Sequence, residues 1–62
     1  MSTAVPIAMT VPEVMAALRI SRSKVYDLIR SREIPSFTVG TRRRFDAADV
    51  AAYMRKRIEE NY

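Results

Sequence analysis

The chain has 62 residues, with eleven Lys and Arg against seven Asp and Glu for a net charge of +4, and neither cysteine nor histidine. One domain at most fits this length, and such a domain buries only about 60% of the surface its unfolded chain exposes. Lacking those two residue types, it has no disulfide, no thiolate or imidazole metal site and no imidazole base, which argues against an enzyme and leaves no cofactor to expect.

Residues 1–9, "MSTAVPIAM", show no helical or alternating periodicity and contain Pro6; they read as a flexible tail ahead of a single domain over 10–62. The tail carries no Lys or Arg, so it is not a signal peptide, and no apolar run nears the roughly 20 residues that span a bilayer. The default expectation is a cytoplasmic protein without a membrane partner. "TVPE" at 10–13 then fits a capping box, with Thr10 accepting from the Glu13 N–H and Glu13 reaching back. Met9 is placed to pack on Val14 as a hydrophobic staple. Val11, Val14, Met15 and Leu18 follow at helical spacing and predict a first helix over 11–18.

Arg19-Ile20-Ser21 interrupts that stripe, and Ser21 is a second N-cap. Val25, Leu28 and Ile29 predict a second helix over about 22–31. The short separation fits a helix-turn-helix unit, although such turns often hold a glycine and this one does not. Pro35 closes the helical segment. "SFTVGTRRRF", 36–45, reads as a hairpin about Gly40. A two-residue loop at Gly40-Thr41 places Phe37 and Phe45 on opposite faces, whereas a three-residue loop over 40–42 places them on one face. The second is the expected register, because a chain this small gains from burying both rings. Asp46 caps a third helix, with Asp49 in its first turn and a stripe of Ala47, Val50, Tyr53, Met54 and Ile58. The expected fold is mainly α with a small β-hairpin: a winged helix-turn-helix.

Charge is placed unevenly along these elements. Arg19 to Arg44 holds eight basic residues against Asp27 and Glu33, leaving +6 there and −2 in the rest of the chain. One positive face and a polyanionic partner follow. On the second helix, with Val25, Leu28 and Ile29 turned inward, Ser23, Tyr26, Asp27 and Arg30 lie on the outer half and Arg22 and Lys24 at the first turn. A recognition helix meets base edges with its N-terminal residues, and Ser21 and Ser23 suit a phosphate at a helix start. Arg22, Lys24 and Arg30 reach guanine edges or phosphates, Asp27 accepts from a cytosine amine or orients Arg30 or Lys24, and Tyr26 offers a hydroxyl to phosphate. The plainer description is a solvated helix face with ordinary caps, a local helix pair at Asp27 with no DNA role, and an aromatic at the core edge.

On the hairpin, Gly40 and Thr41 form the tip, and the arginines of "VGTRRRF" suit DNA backbone or a narrow minor groove. Alternation puts Arg42 and Arg44 on one face, favoured for DNA, and Arg43 on the other. A basic hairpin that only deters edge aggregation is the competing description. A cationic membrane-surface peptide fits less well, because the charges lie on two elements instead of one helix face. Pure protein interaction would require an acidic partner for three arginines.

The run "TVPEVMAALRISRSKVYDLIRSREIPSFTVGTRRRFDAADVAAYM" resembles the excisionase-type helix-turn-helix domains, relatives of the MerR-like fold, from residue 10 to about 57. The positions that carry the resemblance are Ser21, Val25, Tyr26, Ile29, Arg30, Pro35, Gly40, Arg42, Arg44 and Phe45. It departs at Arg32, where a glycine is usual, and at Arg43, where an aromatic is usual. The resemblance implies binding of double-stranded DNA through the second helix and the wing. It also implies the role of a phage or mobile-element excisionase: a recombination directionality factor that binds attachment-site repeats, bends them and works with an integrase. Because so small a reader has few base contacts, cooperative self-association on adjacent sites is expected as well. A small transcriptional regulator using the same surface is the alternative.

Overall fold

The computed structural model describes residues 8–61, in the order β1 (Ala8–Met9), α1 (Val11–Leu18), α2 (Arg22–Arg30), β2 (Phe37–Val39), β3 (Arg42–Asp46) and α3 (Ala47–Glu60). Helix, turn, helix, hairpin and helix follow one another as the sequence predicts, so the fold is a winged helix-turn-helix. One strand is additional. Ala8 and Met9, read from sequence as the end of a tail, pair antiparallel with β3 in the register Ala8↔Asp46 and Met9↔Phe45. β3 is therefore the middle strand of a sheet ordered β1-β3-β2. Two residues carry no alternation signal, and Met9 is held by its packing against the core. The rest of the expected tail, 1–7, lies outside the described residues.

Local chemistry explains where each helix begins. The capping box is complete: Thr10 N–H donates to Glu13 Oε1 at 2.8 Å, and Glu13 N–H donates to Thr10 Oγ1 at 3.2 Å. Ser21 Oγ accepts from the Lys24 N–H at 3.2 Å, and Asp46 Oδ1 accepts from the Ala48 N–H at 2.9 Å.

Where α1 and α2 end, no glycine is used. Arg19 takes φ 56° and Arg32 takes φ 62°, both left-handed. Arg19 and Ile20 both donate to the Met15 carbonyl after α1. After α2, Arg32 N–H donates to the Ile29 carbonyl at 3.1 Å and Glu33 N–H to the Leu28 carbonyl at 3.0 Å, the paired bonds of a Schellman ending. This ending stops α2 at Arg30, one residue before the expected limit.

The buried core is Val11, Val14, Val25, Leu28, Ile34, Phe45 and Val50, with no buried polar residue among the described residues. Ile34 is the member that periodicity does not find, since it follows the Schellman turn and belongs to no stripe. The predicted α3 stripe holds only in its first half. Val50 is buried and Tyr53 packs at the core edge, but Met54 and Ile58 remain exposed. At about 1.5 Å per residue α3 is nearly twice as long as α1, so its second half outruns the elements that could cover it.

The hairpin register corrects the sequence expectation. Phe37↔Arg44, Thr38↔Arg43 and Val39↔Arg42 leave a two-residue Gly40-Thr41 loop, not the three-residue loop. Phe37 and Phe45 therefore point to opposite faces: Phe45 is fully buried and Phe37 is exposed. The third strand accounts for the choice. Pairing Met9 with Phe45 and packing Phe45 among the helices fixes which face of β3 turns inward, and β2 follows by alternation.

Candidate nucleic-acid interface

The outer face of α2 is built by the burial of its inner one. Val25 and Leu28 are buried and Ile29 packs against them, so Arg22, Ser23, Lys24, Asp27 and Arg30 are left exposed, as the helical period requires. Ser21 serves the cap, and its hydroxyl also lies 3.2 Å from that of Ser23. Tyr26 is half-buried and packs against the core. Asp27 carboxylate accepts from the Arg30 guanidinium across one turn, with both side chains largely in solvent. Asp27 thus pairs with Arg30 and not with Lys24. Among the described residues, this is the only ion pair within the basic segment Arg19–Arg44.

The wing sorts its three arginines by face. Arg42 and Arg44 stand opposite Val39 and Phe37, on the face away from the core. Arg43 shares the Phe45 side and donates from Nη1 to Ser36 Oγ at 2.6 Å, which ties β3 to the segment entering β2. Arg44 Nη1 donates to the Arg43 carbonyl at 2.8 Å, and Arg42 is exposed at the tip end of the strand. Gly40 has φ 64°, and a Cβ placed on it would meet nothing within 4 Å. The tip thus needs glycine for its backbone angle rather than for space within the molecule, and it projects bare into solvent.

Helix and wing meet at one cleft, lined by Thr10, Val11, Pro12, Tyr26 and the three arginines 42–44. Tyr26 is the point at which the outer half of α2 reaches the wing. Lys24 lies on another side: it borders an apolar groove between α1 and α3 together with Arg19, Tyr53 and Arg57. At the tip, Gly40 and Thr41 are exposed and line neither cleft. The anticipated residues therefore do not share one enclosed site: Tyr26 and the three wing arginines line one cleft, and Lys24 borders another groove. Sequence reading missed the exposed pair Phe37 and Val39 on the arginine face of the wing; the two-residue loop, weighed and set aside, was the signal that would have found them. No group of three or more metal-ligating side chains occurs among the described residues, and no described helix is long and apolar enough to cross a membrane.

Residues 8–58 match the helix-turn-helix domain family. A protein of Streptomyces ambofaciens named Excisionase is 43% identical over 60 residues, a stretch covering 97% of each chain. No solved structure matches the chain significantly.

Proposed function

The chain belongs to the excisionase-type helix-turn-helix family, and from that premise we propose that it binds duplex DNA beside a recombination crossover and directs an integrase toward excision. The single observation that carries this reading is the relative named Excisionase, whose match runs through α1, α2, the wing and α3 without leaving an element out. α2 enters the major groove. Arg22, Lys24 and Arg30 face bases or phosphates, Asp27 holds Arg30 in place, and Ser21, Ser23 and Tyr26 lie toward the backbone. Gly40 and Thr41 bring the wing tip close to the duplex, Arg42 and Arg44 engage phosphate, and Arg43 adds its charge while bracing the hairpin through Ser36.

The protein acts by architecture. It holds the duplex at two places, α2 and the wing, and so bends it. Copies on adjacent attachment-site repeats extend the curve, at an elastic cost of about 1–6 kcal/mol for a bend of tens of degrees, and strand exchange itself is left to the integrase. The place of action is the DNA of the cell that carries the integrated element. An excision assay with the cognate integrase tests this. The wild-type protein should stimulate excision, and the Arg42→Ala/Arg44→Ala variant should not. Tight DNA binding that leaves both excision and integration unchanged would reject the excisionase role in favour of transcriptional regulation from the same surface.

A further inference from the structure

The wing's outer face is half apolar. Phe37 is 45% exposed and Val39 is 62% exposed, and across the strands they stand opposite Arg44 and Arg42. The four side chains make two stripes on one side of a two-stranded ribbon, Phe37 and Val39 along β2 and Arg44 and Arg42 along β3. The other side of that ribbon is anchored by Phe45, which is fully buried. One further residue in the loop would have turned Phe37 inward; the register instead presents it to solvent. The only acid that alternation adds to this face is Asp46, which lies at the far end of β3 and is occupied in capping α3.

We propose that Phe37 and Val39 are DNA-contact residues: an apolar wedge that the wing sets into the minor groove, with Arg42 and Arg44, both on the β3 side of it, on the phosphates of one strand. The minor groove has the complementary make-up, since its walls are deoxyribose C–H surface and its rims are phosphate. Apolar side chains inserted there prise base steps apart and kink the duplex. The bare Gly40 tip lets the ribbon enter end-on with Val39 leading and Phe37 one step behind. The wedge gives the bend of the proposed function a physical origin, and it rests on that DNA-binding reading.

Salt dependence separates wedge from charge. Apolar contacts release no condensed counterions, whereas each arginine on a phosphate does. The test uses a duplex selected from a random-sequence pool with the wild-type protein, and two readouts: affinity across salt concentrations, and bend angle by gel phasing. Phe37→Thr/Val39→Thr places a residue of high strand propensity at both positions and removes most of the apolar surface. It should lower affinity on the order of tenfold, as loss of this much buried apolar surface does. The log–log salt slope should stay at the wild-type value, the bend should shrink, and the circular dichroism spectrum should be unchanged. Val39→Thr alone, nearly isosteric at an exposed site, should move affinity and bend in the same direction and covers the case in which the double variant folds poorly.

Unchanged affinity and bend in these variants would overturn the wedge. So would a variant that binds and bends as wild type but fails in the excision assay, because that result assigns the face to a protein partner. A wild-type protein that binds and bends through these residues yet never stimulates excision leaves the wedge standing and defeats only the excisionase role.

Discussion

Two arginines occupy backbone conformations that favour glycine, one after each of the first two helices. Arg19 and Arg32 have φ near +60°. A left-handed conformation costs an L-residue about 1–2 kcal/mol, part of which glycine would give back through its greater freedom in the unfolded chain. Both side chains are exposed, so no packing compensates. Arg32→Gly should therefore stabilise the protein by about 0.5–1 kcal/mol, read as a rise of a few degrees in Tm. A fall in Tm would mean that the Arg32 side chain makes a stabilising interaction outweighing the backbone cost. The absence of a glycine between Arg19 and Ser21 is visible in the sequence. That Arg19 would bear the turn's left-handed residue itself, while Ile20 packs on the core, is not, because the choice is made by the hydrogen bonds to Met15 and by burial.

At the scale of elements, the recognition roles proposed for α2 and the wing are reached by separate measurements. Arg42→Ala and Arg44→Ala should each reduce the log–log salt slope of DNA binding by about one unit, for one phosphate apiece. Arg22→Ala or Arg30→Ala should reduce the preference for a cognate over a random duplex by about 1–3 kcal/mol where the side chain reads a base. An equal loss on both duplexes assigns that residue to phosphate instead, and an unchanged slope in the wing double variant removes the wing from the interface. The face assignments within these elements were legible in advance. Helical and strand periods put Arg30 outward on α2 and Arg42 with Arg44 on one side of β3 without reference to any neighbour. Which side of the hairpin met the core was not legible, because it depends on loop length and on a third strand of two residues.

At the scale of the whole molecule, seven buried side chains among the described residues, from α1, α2, the α2–β2 connection, β3 and α3, form the core. Phe45 is the largest of them and is fully buried. Phe45→Ala should cost about 3–5 kcal/mol, as for other buried aromatics. A chain of this length has roughly 3–9 kcal/mol of stability in total. The variant should be largely unfolded or close to it in urea titration followed by far-ultraviolet circular dichroism. A loss below 1 kcal/mol would contradict the central place given to Phe45. The same shortage of partners leaves Met54 and Ile58 on the far half of α3 in solvent.

The sequence by itself determined what is local. The two caps of α1 and α2, the Asp46 cap, the order of elements and the faces of α2 all follow from residues a few positions apart, whose interactions are set by backbone geometry alone. Tertiary structure decided what depends on distant partners. It recruited Ala8 and Met9 into the sheet, buried Ile34 after a helix had ended, set the hairpin register and left Phe37 outside. Each of these outcomes is a competition for one small core, and a side chain's own neighbours in sequence carry no record of which competitor fills it.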